Sequence, residues 1–230
     1  MERVASGIPG LDELTEGGFP EGHSILVSGS PGTGKSIFGL QFLYDGALKN
    51  EPGVYITFEE KVDKIILHAK RFGWDLQKLI DKKLLIIESI DVNDIEKVIG
   101  IVSKRASEIK AKRLVVDSLS KFSLQTTIRS DVFKSEVREP DAKLREIGSI
   151  YFLITRINAL GMTSVLISEL PAKTGYFSRD GVSEFECDGL ILLENTGEDR
   201  LITVHKMRGT KINTQKHVFV IENGLKIVGD

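Results

Sequence analysis

Cysteine is nearly absent from this sequence of 230 residues, with Cys187 standing alone. An internal disulfide is therefore excluded, as is a zinc site built on clustered cysteines. An excess of charge is missing too, because 31 lysines and arginines face 33 acids, for a net charge of −2. That balance argues against a dedicated nucleic-acid coat or a polybasic membrane binder. No apolar run reaches the length of a bilayer span, and Met1-Glu2-Arg3-Val4 lacks the apolar stretch of a signal peptide. The expectation is a cytoplasmic protein that does not touch a membrane. Hydrophobic residues make up 41% of the chain, enough for a sizeable core. The length suits one α/β domain over residues 1–230 better than two small ones.

Short β-rich runs alternate with helical patterns along most of the chain. Ser24–Ser28, Val54–Phe58, Leu84–Ile87, Leu114–Val116 and Thr163–Ser168 read as strands. Between them, apolar residues recur at helical spacing. Examples are Ile37, Leu40, Tyr44 and Leu48, then Ile95, Val98, Ile99, Val102, Ala106 and Ile109. Val62, Ile65, Ile66, Ala69 and Phe72 form another such face. Pro140 is placed to open a helix carrying Leu144, Ile147, Tyr151, Ile154, Ile157 and Leu160. This alternation predicts a mostly parallel twisted sheet with helices on both faces. The tail changes character: Gly189–Leu193, Leu201–Lys206, His217–Ile221 and Leu225–Val228 follow with short turns such as Thr196-Gly197 and Asn223-Gly224. That pattern predicts an antiparallel extension on one edge of the sheet. Leu119–Glu139 and Pro171–Cys187, the least periodic segments, read as surface loops.

Gly29-Ser30-Pro31-Gly32-Thr33-Gly34-Lys35-Ser36 fits the phosphate-binding P-loop pattern in full. Its glycines let the backbone curl with N–H groups pointing inward, and the following helix adds its positive end. In this pattern Lys35 reaches the β- and γ-phosphates of ATP, and the Ser36 hydroxyl ligates Mg²⁺. A second acidic element completes such a metal site. Asp117 ends the run Leu114-Val115-Val116 and would project from the carboxyl edge of a buried strand, where ligands collect in open α/β sheets. Its bland alternative is a carboxylate capping the next turn. Hydrolysis also needs a group to activate water. The residue after Asp117 is Ser118 rather than a glutamate, so the base must come from elsewhere. Glu59 and Glu60, at the end of the second strand, are the candidates; an ordinary acidic turn is the alternative.

With these residues in place, the chain resembles the KaiC domain of the RecA superfamily. Ser6-Gly7-Ile8-Pro9-Gly10-Leu11-Asp12-Glu13-Leu14 and Gly17-Gly18-Phe19-Pro20-Glu21-Gly22 resemble its opening. Thr57-Phe58-Glu59-Glu60 is similar to its catalytic glutamate pair, and Val115-Val116-Asp117-Ser118 to its Walker B strand. Glu184-Phe185 with Asp188, and Lys206-Met207-Arg208-Gly209-Thr210, are similar to its penultimate region and its trans-acting basic motif. The resemblance implies a RecA-like P-loop fold and an ATPase that uses ATP and Mg²⁺. It further implies a ring homo-oligomer, usually a hexamer, in which Lys206 and Arg208 reach the nucleotide of the next subunit. Read without the family, that basic pair is a solvated strand end. The circadian-clock protein carries two such domains and modifies one on a Ser-Thr pair. Here Glu184 and Phe185 stand at that place, so self-phosphorylation there is not expected, and Mg²⁺-dependent hydrolysis in a regulatory role is.

Two alternatives belong to other functional classes. A recombination ATPase would hold DNA on the two loops. Leu119–Pro140 carries Lys121, Arg129, Lys134 and Arg138 against Asp131, Glu136 and Glu139, while Pro171–Cys187 has an excess of acid. Phe122, Tyr176 and Phe177 are candidates for stacking on bases. So small a charge excess predicts weak, salt-sensitive binding. A nucleotide switch for a protein partner is the other alternative, and the retained Glu59, Glu60, Lys206 and Arg208 argue for hydrolysis over it.

Overall fold

The computed structural model describes residues 2–91, 94–124, 139–170 and 175–228. Among the described residues, nine strands form one sheet in the order β11-β10-β9-β8-β3-β7-β6-β4-β5, with the bounds given below. Strand β3 (Ser24–Gly29) lies in its middle, between β7 (Thr163–Glu169) and β8 (Gly189–Asn195), and runs parallel to both. Beyond β7 the parallel strands β6 (Arg113–Asp117), β4 (Gly53–Thr57) and β5 (Leu85–Ser89) continue the sheet. On the other side β9 (Arg200–Met207), β10 (His217–Ile221) and β11 (Leu225–Ile227) are antiparallel. A separate pair, β1 (Arg3–Val4) with β2 (Phe19–Pro20), closes the N-terminal segment.

Helices on both faces explain why the central strands carry apolar runs such as Ile25-Leu26-Val27: every residue of β3 is buried. Alternate residues feed two cores. Val27, Val115 and Ile167 point to α1 (Lys35–Leu48), with Phe38, Phe42 and Leu43. The helices α2 (Val62–Lys70) and α3 (Leu76–Asp81) add Ile65 and Leu79 to this core. Leu26, Val116 and Leu166 point to α4 (Ile95–Ile109) and α5 (Glu139–Asn158), with Val102, Ile150 and Ile154. Among the described residues, no helix is long and apolar enough to cross a membrane.

Both segments read as loops are partly ordered structure. Residues 119–124 are helical, and Leu119 and Phe122 are fully buried, with Phe122 packed on Phe58 at 5.3 Å between ring centroids. Residues 125–138 lie outside the described residues, as do 171–174. A short helix α6 spans Ser183–Glu186, and Ser178, Asp180, Ser183 and Glu184 are buried before and within it. Mutual hydrogen bonding is the reason such polar residues can be buried. Asp180 Oδ1 accepts from the amides of Val182 at 2.8 Å and Ser183 at 2.7 Å. Leu48, Leu144 and Tyr151 are exposed, although they share the helical spacing of inward-facing residues.

Candidate nucleotide site

Gly29 ends β3 with Glu169 and Leu193 as its sheet neighbours, so the P-loop leaves the carboxyl edge at the centre of the sheet. A Cβ on Gly29 would meet Leu193 O at 2.4 Å, which explains why only glycine fits this close approach. The loop closes on itself through Thr33, whose hydroxyl donates to Ser30 O at 2.9 Å. At Gly34, φ is +106°, and the chain turns there into α1, whose N-terminus faces the loop. Lys35 Nζ donates to Gly29 O at 2.7 Å and Ser30 O at 2.9 Å. Burial lowers the Lys35 pKa, while the carboxylates of Glu169, Asp117 and Glu59 act in the other direction. A cleft of about 460 Å³ is lined by Gly32, Gly34, Lys35, Ser36 and Ile37, together with Arg200 and Ile221. Arg200 also donates to Gly32 O at 2.8 Å.

Strand β4 pairs with β6 so that Thr57 lies beside Asp117 at the same edge. The Asp117 carboxylate accepts from Tyr55 Oη at 2.5 Å and also from the Ser36 hydroxyl. Burial raises its pKa above the usual carboxylate value, opposed by those two hydrogen bonds and by the Lys35 charge. The Tyr55 phenol is pushed well up by its own burial and by the neighbouring Asp117 charge. A serine hydroxyl joined to a carboxylate is an all-oxygen donor set, the chemistry that suits Mg²⁺.

The two glutamates diverge. Thr57 Oγ1 accepts from both of their amides at 3.1 Å, fixing the backbone at the strand end. From there Glu59 Oε1 accepts from Ser118 Oγ at 3.1 Å, whereas Glu60 Oε2 leans towards His68 Nδ1 at 3.7 Å. Glu59 therefore stays beside the end of β6, and Glu60 turns towards α2.

Lys206 and Arg208 lie elsewhere. Met207 pairs with Gly189, and Gly189 with Ile25, so the end of β9 sits at the amino edge of β3. Gly29 and the P-loop are at the opposite edge. Four steps along the strand separate Ile25 from Gly29, about 13 Å. Lys206 Nζ donates to the carbonyls of Glu184 (3.1 Å), Phe185 (3.2 Å) and Cys187 (2.6 Å). Burial lowers its pKa, and the Arg208 charge beside it acts in the same direction. Arg208 pairs with Asp188 at 3.0 Å and stays more than half exposed.

Comparison with known proteins shows the family. The family described as "ATPase: KaiC" matches residues 4–230. The chain belongs to the KaiC family of ATPases. The circadian clock oscillator protein KaiC of Thermostichus vulcanus is 34% identical over 246 residues, covering 99% of this chain and 44% of that one. The chain thus spans less than half the length of the clock relatives it matches. UPF0273 protein MK0039 of Methanopyrus kandleri is 32% identical, covering 99% of this chain and 92% of its own length. The crystal structure of the KaiC-like protein PH0186 from Pyrococcus horikoshii OT3 superposes with a TM-score of 0.83 at 34% identity, over 99% of both chains.

Three residues of the site escaped the sequence reading. Tyr55 lies inside the run Val54–Phe58, which reads as a strand, and alternation with Val54 and Ile56 puts it on the α1 face. Glu169 and Arg200 each end or begin a strand without a motif around them. Their places follow from strand order, which pairs Glu169 with Gly29.

Proposed function

We propose that residues 1–230 form one cytoplasmic Mg²⁺-dependent ATPase domain that works as a ring of identical copies, with a regulatory output. The separation of the P-loop from Lys206 and Arg208 supports this most directly. A basic pair at the far edge of the sheet cannot serve its own nucleotide, but a head-to-tail interface brings it to the next one. The backbone amides of Gly29–Ser36 and the α1 N-terminus hold the phosphates, and Lys35 neutralises them. Pro31 and Thr33 shape the loop. Ser36 and Asp117 hold Mg²⁺, which when bound screens charge on the phosphate oxygens. Glu59 takes the proton of the attacking water, Glu60 supports it, and Arg200 and Ile221 lie on the nucleoside side of the cleft. Lys206 and Arg208 of the neighbour stabilise charge on the transferring phosphoryl group.

The test is phosphate release from ATP, with and without Mg²⁺, over a range of protein concentrations. Turnover per subunit that rises as copies associate, needs Mg²⁺ and is lost in Lys35→Ala supports the reading. ATP binding without turnover under all these conditions leaves a nucleotide switch instead. The recombination reading loses one of its aromatic candidates, since Phe122 is buried.

A further inference from the structure

Glu169 and Arg179 have no part in the chemistry above, yet they sit where the nucleotide site meets the segment leading to α6. Glu169 ends β7 beside Gly29, and Leu170 N donates to Gly29 O at 3.1 Å. Its amide donates to Ser120 Oγ at 2.8 Å, anchoring it to the helical turn after Asp117. On its other side Glu169 Oε2 pairs with Arg179 at 3.3 Å.

Around Arg179 the chain is tied into one knot. Ser178 Oγ donates to Glu184 and lies 3.2 Å from Asp180 Oδ1. Asp180 Oδ2 accepts from Ser183 Oγ at 2.8 Å, and Glu184 Oε1 from Phe177 N at 3.1 Å. Both carboxylates are buried, so residues 177–184 are held in one connected hydrogen-bonded unit. The far end of this knot is α6, whose last carbonyls, with that of Cys187, grip Lys206. Phe185 O and Asp188 hold Arg208 in the same way. One short segment thus touches the P-loop edge of the sheet at Arg179 and the amino edge at Lys206 and Arg208.

We propose that Glu169 and Arg179 are positioning residues, linking the nucleotide site of a subunit to the basic pair which that subunit lends to its neighbour. Phosphates seated in the P-loop shift Gly29, and the strand end tied to it through Leu170 N then changes the hold of Glu169 on Arg179 and on the knot behind it. The lending step rests on the ring reading above; the link itself lies within one chain. Both members of the ion pair are more than a third exposed, so the coupling is a few-fold effect that salt weakens.

Amide hydrogen exchange of the whole chain tests this, with Mg²⁺ and the β,γ-imido analogue of ATP as the probe. In the unaltered protein at low salt, the analogue changes exchange at residues 183–188 and 206–210 by about threefold to fivefold. Arg179→Ala binds the analogue with unchanged affinity by calorimetry but loses that change, and Arg179→Lys restores part of it. Salt at about 0.5 M shrinks the effect. Unchanged exchange in the unaltered protein despite analogue binding overturns the proposal, as does an undiminished change in Arg179→Ala. Because the readout needs no ring, it separates a failure of the link from a failure of sharing between subunits.

Discussion

Ser118 Oγ donates to Glu59 Oε1 across 3.1 Å, and this bond fixes one of two adjacent carboxylates at the end of β6. Its neighbour Glu60 is directed to His68 instead. In the proposed mechanism Glu59 activates the water. Glu59→Gln is expected to lower kcat by about 10²- to 10⁴-fold while ATP affinity stays within about twofold. Glu60→Gln is expected to cost less than about tenfold. Steady-state phosphate release with a parallel binding titration checks both, and a deeper loss in Glu60→Gln would reverse the assignment.

Asp117 should cost the nucleotide-free fold stability at neutral pH. Its folded pKa is raised, chiefly by burial. A raised carboxylate contributes its full stability below the usual carboxylate pKa and loses it as pH rises through the folded value. Asp117→Asn keeps an acceptor for Tyr55 and removes the charge. The variant should melt about 2–4 °C higher at neutral pH, the shift for about 1 kcal/mol in a chain this long. That gain should vanish as pH falls to the ordinary carboxylate range, and Mg²⁺-dependent turnover should be lost. A lower neutral melting point would contradict the assigned cost of burying this charge.

Phe122 separates the ATPase reading from the recombination one. It is fully buried against Phe58, so Phe122→Ala should lower unfolding free energy by about 3–5 kcal/mol in denaturant titration. Retained stability with loss of single-stranded DNA binding would return it to the surface and revive the alternative.

How much of this was legible in the sequence depended on periodicity and motif. Strands β3, β4, β6 and β7 lie within a residue of their expected bounds, because an apolar run buried on both faces has few other readings. Helix α3 escaped, being six residues long and marked mainly by Asp75, which accepts from Lys78 N at 3.1 Å as its cap. Two-residue strands such as β1 leave no pattern at all. The P-loop was visible because its backbone geometry demands glycines at fixed spacing. Glu169 was not, since its position depends on the pairing of β3 with β7, separated by more than a hundred residues. Leu144 and Tyr151 misled because a helical stripe wider than the buried face reaches solvent at its margins.

The central claim is that each active site is shared, with Glu59 from one subunit and Arg208 from the next. Arg208→Ala alone should keep ATP binding and lose about 10³-fold in turnover. Glu59→Gln alone should be as inactive. The direct measurement mixes equal amounts of the two dead variants, confirms mixed rings by native mass spectrometry and reads phosphate release. Random assembly gives about one interface in four a native Glu59 facing a native Arg208, so about a quarter of normal turnover should return. Confirmed mixed rings that stay inactive would contradict the account.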